Sequence, residues 1–263
     1  MSKVSVIIPC YNQGKYIEEA VDSVLNQTFD DLEIIIVNDG STDNSQEIID
    51  KIKHPKVIKI HQANKGVASA RNEGINKAIG EYILPLDSDD KIASTYIEKA
   101  VYQIEKNPKL GIVYCEAELF GVKRKKWKLP PYTLFNMLKA NCIFCTALFR
   151  KKDWEAVGGY KEQQENFWED YDFWLSLIEM GREVFQIPEV LFSYRQYEEN
   201  SRSKETNADA LKTFGNVINN HPKLYLDNLP FLLSQQKSDL KKIFSMKLSN
   251  NSKLKLFIER ENN

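Results

Sequence analysis

Asp87, Asp89 and Asp90 place three carboxylates within four residues, directly after the apolar stretch "ILPL". Like charges this close raise the pKa of at least one of them unless something positive is present. A solvated turn tolerates such a group; a bound cation requires it. The spacing does not fit a calcium loop, because Lys91 stands where an oxygen ligand belongs and the turn glycine is missing. A helix N-cap is the plain alternative, since "ASTYIEKAVYQIEK" follows and acids favour that end of a helix. One cap uses one acid and leaves two without a role. Magnesium and manganese are held by one or two carboxylates completed by substrate phosphates, and the cluster points to that chemistry.

Other residues carry chemistry at similar places. Asp39 ends an apolar run and reads either as a turn residue or as an acceptor for a nucleobase or ribose. Arg71 reads as a surface ion pair or as a cation close to the same edge. Tyr11 stacks on a base or packs. Glu169, Asp170 and Asp172 read as first-turn helix acids, or as supplying a general base desolvated beside aromatic rings. Cys10, Cys115, Cys142 and Cys145, with only three histidines, supply no tetrahedral zinc set, and they read as reduced thiols. No G-x-G-x-x-G follows the first strand pattern and no Walker loop exists, so any phosphate is held without a glycine cradle.

The elements that must position these residues alternate. "VSVII", "LEIIIVND", "KVIKI" and "EYILPLD" read as buried strands, separated by helical patterns such as Ile17, Ala20, Val21, Val24 and Leu25. Repeated βα units with continuous apolar strands predict a mostly parallel sheet covered on both faces. Ligands then bind beyond the carboxyl ends of the strands, which gathers Pro9 to Asn12, Asn38 to Ser41, Asn64 to Gly66 with Arg71, and the acids at 87–90 on one edge. Residues 106–203 are less regular. They include a basic run at 123–128, a strand in "CTALFR", a helix stub in "DWEAVGGY", an amphipathic helix in "NFWEDYDFWLSLIEMG" and a last strand in "VFQIPEVLFSYRQY". A polar, aperiodic stretch sets a boundary near 204, with helical, polar sequence beyond.

Taken together, "VSVIIPCYNQGKYIEEAVDSVLNQTF", "IIIVNDGSTDNS", "NKGVASARNEGINKAIGEYILPLDSDD", "FRKKDWEAVGGY" and "WEDYDFWLSL" resemble glycosyltransferase family 2, the inverting enzymes of the GT-A fold. The likeness covers about 1–203. It implies an α/β GT-A domain at 1–203, with a nucleotide-sugar-binding half at 1–105 and an acceptor-binding half at 106–203, followed by a C-terminal helical extension at 204–263. It implies a nucleotide-sugar donor, usually a UDP-sugar, a divalent Mn²⁺ or Mg²⁺, and a saccharide or lipid-linked saccharide acceptor, as in bacterial surface polysaccharide synthesis. It places the donor against Pro9, Tyr11, Asp39, Asn64, Arg71, Asp87 and Ser88, makes Asp89 the metal ligand, and makes Asp170 the base with Glu169 orienting the acceptor. Where many members carry a histidine near the metal, "SYRQYEENSRS" has Tyr197; Arg202 would add charge near the diphosphate.

Composition bounds the rest. The chain has 263 residues, 42% of them hydrophobic, with a net charge of −1, so no global field favours nucleic acid or membrane. The apolar run near the N-terminus is too short for a signal peptide, which predicts a cytoplasmic protein. From 236 to 260, seven Lys/Arg against Asp239 and Glu259 give a local +5, with Leu240, Ile243, Phe244 and Leu248 on one helical face. That tail either lies on the inner face of an anionic membrane or packs as a helix with a solvated basic side. The competing readings are a sugar nucleotidyltransferase, which would want a glycine-rich basic loop where "PCYNQGKY" stands, and a nucleotide-sugar or carbohydrate binding protein without activity.

Overall fold

The computed structural model describes residues 2–162, 168–197 and 207–247. Its first half is the repeated βα pattern that continuous apolar strands predict. Strands β1 (Val4–Cys10), β2 (Leu32–Asp39), β3 (Val57–Gln62) and β4 (Tyr82–Pro85) pair in parallel in the order β3-β2-β1-β4. β1 and β2 are buried along their whole length, which is why neither alternates polar with apolar residues. Helices α1 (Ile17–Leu25), α2 (Ser45–Lys51) and α3 (Val67–Lys77) connect them. The buried stripe of α1 is Ile17, Ala20, Val21 and Val24, the i, i+3, i+4, i+7 face of its sequence.

The second half turns the sheet mixed. β5 (Lys91–Ile92) follows the acids, then α4 (Tyr96–Lys106), β6 (Leu110–Gly121), β7 (Lys125–Trp127), α5 (Leu134–Lys139), β8 (Leu148–Arg150), α6 (Lys151–Val157), α7 (Glu169–Glu179) and β9 (Glu183–Gln196). The order continues β4-β8-β6-β9-β5, with β7 on the outside of β6. Because β5 stands between the acids and α4, whose cap position is Thr95, the aspartates do not cap that helix. β5 is two residues long and β7 three, too short for a periodicity to reveal. Within β9, Pro188 cannot donate to the ladder. The register with β6 breaks there, from Cys115 opposite Ile187 to Glu116 opposite Val190.

Two compact units result, Met1–Asn220 and His221–Asn263. The first ends in α8 (Asn207–Asn220); the second contains α9 (Pro222–Lys247). Arg202 and most of the polar stretch that sets the expected boundary lie outside the described residues, as do the side chains of the basic tail from 236 onward. Among the described residues no helix is long and apolar enough to cross a membrane. All four cysteines are unpaired.

Candidate active site

The acids at 87–90 form a turn fastened to β9. β5 pairs antiparallel with β9, Lys91 opposite Ser193, so the end of β9 runs beside the turn. Arg195 secures it by two contacts and ties it to α1 by a third. Its backbone N–H donates to Asp90 Oδ1 at 2.7 Å, its Nε donates to the Asp89 carbonyl at 2.7 Å, and its Nη2 pairs with Glu19. Two residues on, the Tyr197 hydroxyl donates to Asp89 Oδ2 at 2.6 Å.

The crowding is real. Burial, with the charge of Asp87, pushes the Asp89 carboxyl above the usual aspartate range, and the Tyr197 hydrogen bond only partly offsets it. Burial and both neighbouring acids push Asp90 well above that range. Asp90 Oδ2 is buried with no hydrogen-bond partner among the described residues. Burial and the nearby Asp89 carboxylate raise the Tyr197 phenol far above its ordinary value, so Tyr197 remains the donor of this pair. A crowded set of hard oxygen donors fits a divalent cation. Among the described residues no group of three or more His, Cys, Asp or Glu side chains is arranged to hold one, so the protein alone makes no complete cage.

Arg71 links this turn to the second acidic group. Its guanidinium is buried; Nη2 donates to Asp87 Oδ1 at 2.7 Å and Nη1 to Glu169 Oε1 at 2.5 Å, so one side chain joins the end of β4 to the start of α7. A surface ion pair does not describe it. Asn72, the next residue, explains the "GGY" motif. Gly158 and Gly159 adopt positive φ, 82° and 79°, and turn the chain so that the Tyr160 N–H reaches Asn72 Oδ1 at 2.9 Å. The Trp154 indole N–H reaches the same oxygen at 3.2 Å. The Tyr160 ring then lies 5.7 Å from the Arg71 guanidinium.

Asp170 Oδ1 accepts from the Tyr171 N–H at 2.8 Å, and Oδ2 accepts from Asn141 Nδ2 at 3.2 Å. Asp172 points elsewhere, to Lys161 at 3.0 Å and Asn220 at 2.6 Å, and is structural. Phe167 lies outside the described residues.

The remaining predicted residues divide by exposure. Pro9 is buried inside β1, whereas Tyr11 and Asn64 are exposed at the strand-end edge. Ser88 is buried in the turn. Asp39 Oδ1 accepts from Gln62 Nε2 at 2.7 Å and Lys65 N at 2.9 Å, and Oδ2 from Gly66 N at 2.9 Å. It therefore organises the loop into α3, and its second oxygen keeps acceptor capacity.

Asn141, Cys145 and Arg195 belong to the site without having been singled out for it, and Asn12, gathered with the strand ends, has a specific role there. The Cys145 thiol, held protonated by burial and the Asp87 charge, contacts Asp87 Oδ2 at 3.5 Å. Asn141 directly precedes Cys142 in "NCIFC", and nothing in the local pattern marks it as a partner of Asp170. Asn12 has φ 54°, and its Oδ1 takes the Thr42 N–H at 2.7 Å, tying the turn after β1 to the turn after β2. A lone asparagine after a strand was the available signal, since Asn tolerates this backbone.

Comparison with known proteins follows the geometry. The sequence profile of Glycosyl transferase family 2 matches residues 5–169. The chain is 36% identical over 185 residues to the chondroitin synthase of Pasteurella multocida, covering 68% of this chain and 19% of that synthase. Among solved structures, S. aureus TarS 1–349 in complex with UDP-GlcNAc superposes with a TM-score of 0.67 at 22% identity, over 78% of this chain and 61% of that one. Mannosyltransferase PcManGT from Pyrobaculum calidifontis, in complex with GDP-Man and Mn²⁺, has a TM-score of 0.62 at 19% identity, over 99% of this chain and 79% of that one. These likenesses show the GT-A-like α/β fold.

Proposed function

The chain belongs to glycosyl transferase family 2, and from that premise we propose that it transfers a sugar, with inversion, from a nucleotide-diphosphate sugar to an acceptor hydroxyl of a saccharide or lipid-linked saccharide. The observation that carries this reading is Arg71, which ties the acid turn of β4 to the acids of α7 through Asp87 and Glu169. A donor site and a base must lie on opposite sides of one reacting carbon, and a buried cation spanning both acidic groups fixes them relative to each other.

Tyr11, Asn64, Asp39, Ser88 and Asp87 receive the nucleotide at the strand ends, and the buried Pro9 shapes the wall behind it. UDP is the favoured nucleotide, supported by the UDP-GlcNAc complex of the TarS fold relative. Asp89 would hold a Mn²⁺ or Mg²⁺, and the bound cation would supply Lewis-acid neutralisation of the leaving diphosphate. Tyr197 and Arg195 hold Asp89 in place. Asp170 takes the proton from the acceptor hydroxyl on the far face of the sugar, with Glu169, anchored by Arg71, orienting that hydroxyl. In-line attack then inverts the anomeric carbon. Four free cysteines support a reducing, cytoplasmic location. The basic tail is a candidate contact with the inner membrane face.

Thermal shift with UDP and GDP, each with and without Mn²⁺, tests the donor half. The matching nucleotide stabilises the protein by about 2.7 kcal/mol at a hundredfold excess over Kd. Release of nucleotide diphosphate from a labelled sugar donor in the presence of acceptor then separates a transferase from a binding protein. Binding without any transfer across a broad acceptor panel would leave the binding-protein reading standing.

A further inference from the structure

We propose that the hairpin joining β6 and β7 is an acceptor subsite for an anionic saccharide. The proposal rests on the transferase reading above and names its acceptor class. Residues 123–128 carry five Lys/Arg and no acid in a chain whose net charge is −1, so the rest of the chain sums to −6. Lys123, Arg124, Lys125 and Lys128 are exposed, and none of them forms an ion pair among the described residues. Lys126 is different: it faces the other side of the strand, opposite Glu118, and pairs with Glu116.

A charge run of this kind is commonly a wet, mobile loop, but this one is anchored. Trp127 is half-buried between its exposed neighbours. Its ring stacks on Phe144 at 6.2 Å and 25°, and meets Tyr194 at 4.8 Å. Phe144 in turn packs on Phe192 at 4.5 Å and edge-on against Tyr114 at 5.8 Å. β-Strand alternation puts Lys125 on the same face of β7 as Trp127. The cations are therefore presented from a fixed support, which lowers the ordering cost of recognising a ligand.

That support continues along the chain into the active site. Phe144 is followed by Cys145, which contacts Asp87, and lies three residues after Asn141, which contacts Asp170. Tyr194 lies three residues before Tyr197, which holds Asp89. The hairpin thus borders the site through segments that reach the base Asp170 on one side and Asp87 and Asp89 on the other. Lys and Arg at that border recognise carboxylate, sulfate or phosphate groups along an acceptor chain, with Arg124 able to bind such a group through two parallel hydrogen bonds. A hairpin built to enter a membrane would turn its tryptophan outward; Trp127 turns into the ring cluster.

The test compares wild type with the quadruple variant Lys123→Gln, Arg124→Gln, Lys125→Gln, Lys128→Gln, after checking that both melt at the same temperature. Calorimetry measures affinity for two anionic probes, a hexasaccharide of alternating glucuronate and N-acetylglucosamine and a phosphodiester-linked hexasaccharide, and for neutral chitohexaose, at low and high salt. Wild type is expected to bind at least one anionic probe about tenfold more tightly than the neutral one, with affinity falling as salt rises. The variant is expected to lose that preference while binding UDP and Mn²⁺ as wild type does. Equal affinity of both proteins for the anionic probes, or no preference for them in wild type, overturns the proposal. So does binding to phosphatidylglycerol vesicles through these residues without binding either saccharide probe. Failure of the transferase reading has a separate signature, namely loss of nucleotide binding and transfer in wild type itself.

Discussion

Asp170 holds its two carboxylate oxygens on different partners, the Tyr171 N–H and the Asn141 amide. Asn141 has no choice of orientation, because its Oδ1 accepts from the Ile143 N–H at 3.1 Å, which aims Nδ2 at Asp170. In Asp170→Asn the new amide keeps the Tyr171 bond and then meets Asn141 donor to donor. That costs about 1 kcal/mol of stability, a slightly lower melting point. The larger expected effect is a fall in kcat of at least about a hundredfold with nucleotide affinity unchanged, since the proton acceptor is gone. Near-normal turnover would move the base to another residue. Asn141→Ala is a milder test: about tenfold in kcat, with the acid limb of the kcat–pH profile moving to higher pH, because a donor to the charged carboxylate has been removed. An unchanged profile with a lowered melting point would make Asn141 merely structural. The acids themselves were readable from crowding and order along the chain. Asn141, Arg195 and Tyr160 were not, because their roles arise from contacts between segments far apart in sequence.

At the scale of elements, two arrangements matter most. The first is the acid turn between β4 and β5. Asp90 is buried with a raised pKa, so in metal-free buffer the unfolded chain releases its proton before the folded chain does. Between the ordinary aspartate range and that raised value the native state binds more protons, and stability falls as pH rises. Asp90→Asn, which keeps an oxygen for the Arg195 N–H, is expected to flatten this slope in urea titrations run with a chelator. A slope identical to wild type would assign it to other groups. The second arrangement is α3 against β1 and β2. A Cβ at Gly74 would lie 2.6 Å from Ile7 Cγ2 and 3.2 Å from Val37 Cγ2. Alanine would add about 1 kcal/mol of helix propensity, while overpacking costs about 1–3 kcal/mol. Gly74→Ala is therefore expected to lower Tm by a few degrees. It should also slow turnover, since Arg71 sits one turn earlier on the same helix. A rise in Tm would mean that Ile7 yields easily. Strand and helix order in the first half followed from local patterns, continuous apolar runs for the strands and one-faced apolar spacing for the helices. β5 and β7 could not, because each is specified by its pairing with a longer strand.

At the scale of the whole molecule, the question is where the catalytic unit ends. Composition places the break near 204, where the sequence turns polar and aperiodic. α8 lies beyond it and packs with the unit that precedes it. Its Asn220 donates to Asp172 Oδ1 at 2.6 Å, and its Phe214 ring meets Trp168 at 6.4 Å. Both partners belong to the start of α7, where Glu169 and Asp170 stand. Asp172 is buried and takes one oxygen's partner from Lys161 and the other's from Asn220. Removing Asn220 leaves a buried carboxylate oxygen without that partner, at a cost of about 1–3 kcal/mol, before any loss of apolar packing from α8. A chain ending after 220 is therefore expected to melt within a few degrees of the full-length protein and to keep its nucleotide response. A chain ending after 203 is expected to melt clearly lower and to lose turnover by more than nucleotide affinity, because the turn carrying the acids of α7 is loosened while the strand ends are untouched. Melting curves and steady-state kinetics on the two truncations decide it. Equal behaviour of both would return the boundary to the polar stretch and make α8 dispensable to the site.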